Sequence, residues 1–154
     1  MTTPTLAPST LEEIRAARAR IAATVLRTPL VRLSVDAPAE IWLKLENLQP
    51  IGSFKLRGAV SAIRQAPPEA VARGVVTPSA GNMAQGVAWA ARELGVPATV
   101  VAPDSAPRAK LDAVARLGGE AVLVPFEKLS VLNAGKGEAT TEDGPFVPTS
   151  LPNK

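Results

Sequence analysis

The sequence predicts an α/β protein: a parallel sheet with flanking helices. Two observations carry that prediction. Between Val75 and Val124, short apolar runs suited to buried strands alternate with helix-length segments, which is the order of βαβ units joined by right-handed crossovers. Aromatic residues make up only 3% of a chain that is 46% hydrophobic. Ala, Val and Leu must therefore fill the core, which suits close packing of helices on a parallel sheet. At 154 residues the chain is long enough for one domain with its own core.

Each element has its own signal. A helix should begin after Thr10, because Thr10 and Glu13 have capping-box spacing and Leu11, Ile14, Ile21 and Val25 follow on roughly one face. Thr28-Pro29 forces extended backbone and an irregular segment through Val31 and Leu33. The run Ile41 to Glu46 alternates as a strand, with Ile41, Leu43 and Leu45 on one face. Asn47 to Gly52 is a turn. Ser53 can cap a helix that runs to about Gln65, where Pro67-Pro68 stops it.

The regular part follows. Strands are expected at 75–77, 98–102 and 121–124. Between them lie a helix from Met83 to Leu94 closed by Gly95 and a helix from Ala106 to Leu117 closed by Gly118. Asp104 or Ser105 should cap the second helix, with Pro107 in its first turn. From Glu127 the pattern dissolves into scattered Gly and Pro, and residues 128–154 read as a divergent, disordered tail.

Charge and composition exclude several classes of function. The net charge is +3, but the basic residues are scattered. The one cluster, Arg15, Arg18 and Arg20, shares its helix with Glu12 and Glu13, which reads as a solvated face and not as a nucleic-acid footprint. With no Cys and no His there is no disulfide framework, no thiolate and no ordinary zinc site, so no metal is expected. Proton transfer falls to Lys, Asp, Glu or Ser. Met1 to Ser9 lacks the apolar stretch of a signal peptide, and no run reaches membrane-spanning length. The expectation is a cytoplasmic chain without a membrane partner.

Two segments carry chemistry. In Lys44-Leu-Glu-Asn-Leu-Gln-Pro-Ile-Gly-Ser-Phe-Lys-Leu-Arg-Gly58, a Gly turn is followed by Phe54 and by Lys55 in the first turn of a helix. The positive end of the helix dipole disfavours an ammonium there and favours the free, nucleophilic amine. A solvated helix lysine would have the same spacing, so spacing alone leaves the role of Lys55 open. The second segment, Ser79-Ala-Gly-Asn-Met-Ala-Gln-Gly86, joins a strand to a helix, and its N–H groups can hold an anion. A plain β-to-α loop has the same composition. Gly81 to Gly86 is not a P-loop, because Val87 and Ala88 stand where Lys and Ser or Thr are required, and no G-x-G-x-x-G occurs.

Together, in this order, the two segments resemble the threonine/serine dehydratases, a branch of the fold-type II pyridoxal-phosphate enzymes that includes serine racemase. The resemblance covers residues 10 to 127. It implies pyridoxal 5′-phosphate as cofactor, bound by Lys55 as a Schiff base, with Phe54 against the pyridine ring and Asn82 donating to the ring oxygen. Ser79, Gly81, Asn82 and the backbone at Met83 are implied contacts of the substrate carboxylate. The family often has Thr at Ile51 and His at Met83, and the second change matters little where backbone makes the contact.

The implied reaction is β-elimination of a hydroxy-amino acid to a 2-oxo acid and ammonia. Racemisation is the alternative within the family. It needs an acid/base where the racemases carry a serine, and this chain has Ala80. Family members are about twice as long, and their second half supplies the glycine-rich phosphate loop. The expectation is accordingly a truncated form, inactive alone, or a non-catalytic fragment, with a homodimer for the full-length form. Residues 10–52 would begin a large domain incomplete here, 53–127 would form a small αβα domain, and 128–154 would be the tail. The segment from Ala102 to Gly119 also follows the family order, and Lys110 within it reads as a solvated helix lysine.

Overall fold

The computed structural model describes residues 8–127 and, by backbone alone, residues 140–141 and 144–145. The expected helix α1 is Leu11–Ile21, and its capping box is complete: Glu13 N–H donates to Thr10 Oγ1 and Thr10 N–H donates to the Glu13 carboxylate. Its expected apolar face is not buried along its length. Ile21 and Val25 enter the core, but Leu11 and Ile14 are 60% and 55% exposed. The end of α1 is tied to the helix that follows Lys55. Arg20 donates to Ser61 Oγ, and Arg64 donates to the Arg20 carbonyl at 2.7 Å. Arg20 therefore belongs to an interhelical contact, a correction to the solvated basic face.

The segment expected to be irregular after Thr28-Pro29 is a strand. β1 (Leu30–Arg32) pairs antiparallel with β2 (Trp42–Lys44), Val31 opposite Leu43. Further bonds from Leu45 N–H to Pro29 O and from Leu33 N–H to Ile41 O extend the pair at its two ends. The sequence reading missed it because the partner lies beyond a connection of nine residues. All six strand residues are exposed, so the alternation of Ile41, Leu43 and Leu45 does not mark a buried face here.

A short 3-10 turn at Glu46–Leu48 leads to Gly52, whose φ of +65° turns the chain into α2, Lys55–Gln65. Ser53 does not cap this helix in the expected way. Phe54 holds the cap position in helical backbone, and Ser53 Oγ accepts the N–H of Lys55 at 3.3 Å. A further short helix, α3, follows at Pro68–Val71 with a proline in its first turn.

The parallel sheet is as expected, with slightly longer strands: β3 (Val75–Pro78), β4 (Ala98–Pro103) and β5 (Glu120–Val124), in the order β3-β4-β5. The crossovers are α4 (Asn82–Leu94) and α5 (Arg108–Arg116). Gly95 ends α4 in the left-handed conformation at φ +69°, where an L side chain would be strained. Neither Asp104 nor Ser105 caps α5. Pro107 occupies that position, since a turn from Ala106 N–H to Pro103 O comes first. Strands joined in sequential order by crossovers of one hand put both helices on the same face, and α4 and α5 do touch each other.

The core is divided by α4. On one side Met83, Val87, Ala90 and Ala91 pack with Leu56, Ala59, Val60 and Ile63 of α2, and with Ile21, Val25, Val75 and Ala98. On the other, Ala84 and Ala88 pack with Val100, Ala102 and Val114. Small residues on both faces of α4 permit this, as the low aromatic content suggested. Within the expected tail, β6 (Thr140–Thr141) and β7 (Gly144–Pro145) form a short antiparallel pair. The rest of the disorder expected for 128–154 lies outside the described residues. Among the described residues, no helix is long and apolar enough to cross a membrane.

Candidate active site

The loop after β3 lies at the carboxyl edge of the parallel sheet, where open α/β sheets hold their ligands. Ser79 and Gly81 are half-buried there, and Ser79 Oγ accepts the N–H of Gly81 at 3.2 Å, folding the loop onto itself. That bond leaves the hydroxyl proton of Ser79 for another acceptor. Gly81 occupies the cap position of α4, Asn82 is its exposed first residue, and Met83 turns its side chain into the core at 7% exposure. The first N–H groups of α4 have no partner within the helix.

The head of α2 meets the start of α4 through Gly86. A Cβ on Gly86 would stand 3.4 Å from Ile51 Cδ1, 3.5 Å from Ala59 Cβ and 3.5 Å from the backbone nitrogen of Leu56. At these distances a methyl would be in ordinary van der Waals contact, so α4 passes close to the backbone next to Lys55. Asn82 sits about one helical turn before Gly86. The two helix heads, one bearing Lys55 and the other Asn82, are thus neighbours. Lys55 is half-buried, and its Nζ lies 5.1 Å from the ring centroid of Phe54, itself 57% exposed.

The sequence reading assigned no role to the residues that hold the head of α2 from the other side. Arg57 Nε donates to Glu46 Oε2 at 2.9 Å, and its Nη2 donates to Glu46 Oε1 at 2.7 Å, a two-pronged ion pair. The same Nη2 reaches the Leu26 carbonyl at 3.0 Å and Thr28 Oγ1 at 3.3 Å. Thr28 Oγ1 in turn donates to Glu46 Oε1 at 2.6 Å, and Lys44 Nζ donates to the Thr28 carbonyl. Buried Gln49 pairs with both backbone groups of Leu26, at 2.8 and 3.2 Å. The Arg57 hydrogen bond is the main reason the Glu46 carboxyl is held at about 2, below its ordinary 4.5. Burial opposes the shift, while Thr28 and the charges of Arg57 and Lys44 add to it.

One buried side-chain polar atom is left without a partner among the described residues: Thr77 Oγ1, two residues before Ser79, on a side chain with no exposure. Lys110 is exposed on α5, away from these contacts, as expected of a solvated lysine.

A family model described as "Pyridoxal-phosphate dependent enzyme" matches residues 21–153, and so includes nearly all of the segment 128–154 whose sequence reads as divergent. The L-threonine ammonia-lyase of Thermotoga maritima is 47% identical over 117 residues, which is 74% of this chain and 29% of that protein. Among solved structures, maize serine racemase is similar with a TM-score of 0.74 and 39% identity, over 80% of this chain and 39% of that one. A threonine deaminase from T.th. is similar with a TM-score of 0.74 and 33% identity, over 91% of this chain and 45% of that one. The chain thus spans less than a third of the length of its Thermotoga maritima relative. With that match over most of its residues, and with this fold, the chain belongs to the pyridoxal-phosphate-dependent enzymes.

Proposed function

We propose that the chain carries the lysine side of a threonine/serine dehydratase site, with Lys55 as its catalytic residue. The observation that carries this reading is the meeting of the two helix heads at Gly86, with Lys55 on one and the loop 79–82 on the other. The donor set fits pyridoxal phosphate: a primary amine, an aromatic face beside it, a carboxamide, and backbone N–H groups at a helix start. When bound, that cofactor supplies an electron sink for the carbanion left at the α-carbon of an amino acid. Lys55 Nζ would hold the cofactor aldehyde, and its free amine could accept the substrate's α-proton. Phe54 would flank the ring, and the Asn82 carboxamide would donate to the ring oxygen. Ser79 Oγ–H and the N–H groups around Gly81 and Met83 orient the substrate carboxylate. Loss of the β-hydroxyl as water would leave an enamine, and hydrolysis of that enamine by water gives the 2-oxo acid and ammonia.

Racemisation is the second reading, since maize serine racemase is among the similar structures. The methyl of Ala80 cannot transfer a proton, which favours elimination. The division into residues 10–52, 53–127 and 128–154 belongs to this proposal, although Ile21 and Val25 pack across the first boundary. So do a cytoplasmic location and a homodimer for the full-length form.

By itself the 154-residue polypeptide should bind the cofactor weakly and not turn over, because Phe54 and Asn82 lie open to water. Ammonia release from serine and threonine, paired with a cofactor titration, tests that part. Steady turnover with tight binding would refute it. In a version extended to the length of the Thermotoga maritima relative, Lys55→Ala should abolish 2-oxo acid formation. Normal turnover in that variant would remove Lys55 from the site.

A further inference from the structure

We infer that Arg57 is a positioning residue for Lys55, acting with Glu46 and Thr28 to lock the first turn of α2 in one orientation. The inference rests on the reading of Lys55 as the amine that holds the cofactor. Arg57 lies two residues beyond Lys55, and its guanidinium spans three acceptors on two separate segments: Glu46, Thr28 Oγ1 and the Leu26 carbonyl. The ion pair is partly shielded, with 29% and 18% of the two side chains exposed. Its geometry is fixed further by the Thr28 hydroxyl, which accepts from Arg57 and donates to Glu46.

The opposite side of the same turn is fixed by apolar contact, where Leu56 is fully buried and α4 passes at Gly86. The head of α2 therefore has a packed side and a charged side. From the chain just before it, the one side-chain bond is that of Ser53 Oγ to the Lys55 N–H at 3.3 Å, since Phe54 at the cap position makes no side-chain capping bond. Without the guanidinium fork, this turn would pivot on Leu56 and spread the amine over several positions. A point charge cannot replace a planar donor that serves three acceptors at once.

The test uses the 154-residue chain and pyridoxal phosphate trapped with borohydride, and peptide mapping measures the label at each lysine. The readout is the ratio of label at Lys55 to label at exposed Lys110, taken well below the melting temperature of each variant. Wild type should favour Lys55. Arg57→Gln should reduce the ratio about tenfold, the scale on which a small misplacement of a reacting group acts. Glu46→Gln should reduce it too, and the double variant should fall no further than Arg57→Gln alone, because the two residues act as a unit.

Thr28→Val removes one hydroxyl and leaves the ion pair, so it keeps the question answerable if Arg57→Gln unfolds. It should lower the ratio about twofold to threefold, and Thr28→Ser should restore it. A purely structural role would lower melting temperatures and leave the ratio unchanged, which would overturn the inference while Lys55 kept its place. A wild-type ratio near one would instead remove Lys55, and the inference with it.

Discussion

Replacing Glu46 by Gln should cost stability at neutral pH and progressively less in acid. The folded chain holds the Glu46 carboxyl at about 2 against an ordinary 4.5, chiefly through the hydrogen bond from Arg57. With 29% of the Arg57 side chain and 18% of the Glu46 side chain exposed, solvent screens the pair in part. At about 1.4 kcal/mol per pH unit, the shift corresponds to at most about 3 kcal/mol of folding free energy, and screening brings the contribution nearer to about 2 kcal/mol. The sign follows from the direction of the shift. Because the folded value lies below the unfolded one, the contribution is complete above about pH 4.5 and is lost as pH falls through about 2.

About half should be gone by pH 3. Glutamine is a fair stand-in for the protonated acid, since it keeps one acceptor oxygen for Arg57 and Thr28. Urea unfolding followed by far-UV circular dichroism at pH 7 and pH 3 gives both free energies. The gap between wild type and Glu46→Gln should be about 2 to 3 kcal/mol at pH 7 and about half that at pH 3, since the remaining carboxylates are common to both proteins. An equal gap at the two pH values would show that Glu46 contributes by shape and not by charge.

Two further substitutions probe the packing around the sheet. Gly119→Ala should destabilise by about 1 to 3 kcal/mol, because its Cβ would stand 2.8 Å from Val114 Cγ1 and 2.9 Å from Ala88 Cβ; an unchanged melting temperature would mean that α4 and α5 part easily there. Thr77→Val should stabilise by about 1 kcal/mol, since it removes a buried hydroxyl that lacks a partner. A loss of stability in urea would mean that this hydroxyl is satisfied in solution.

The parallel sheet was legible because its signals are local. Each strand of 75–124 is an apolar run bounded by its own turn, and Gly95 marks the end of α4 without reference to anything distant. The β1–β2 hairpin was not legible, because Thr28-Pro29 argues only that the chain is extended and says nothing about what it pairs with. The apolar residues of α1 misled for a related reason. Periodicity shows which residues share a face, while burial depends on a partner long enough to cover it. Here α1 is bonded to α2 near Ile21, and Leu11 and Ile14 extend past the contact.

The same distinction separates the two halves of the candidate site. Lys55, Phe54 and the loop 79–82 can be proposed from sequence because each stands in a short segment whose turn, helix start and glycines are contiguous. Arg57 stood in plain view within the first of those segments and drew no role. Its acceptors lie 11, 29 and 31 residues away, and nothing near Arg57 names them. A helix start held by its own neighbours only through one 3.3 Å bond from Ser53 Oγ leaves room for another restraint, and that is the signal that could have led to Arg57. On the proposed reading the site is two arrangements superposed: local loops that would supply the reacting groups, and a long-range ionic clamp with a glycine contact at the place where the two helix heads meet. Sequence motifs report the first. The second depends on Glu46 and Gly86 as much as on Lys55, so it becomes readable only in the folded chain.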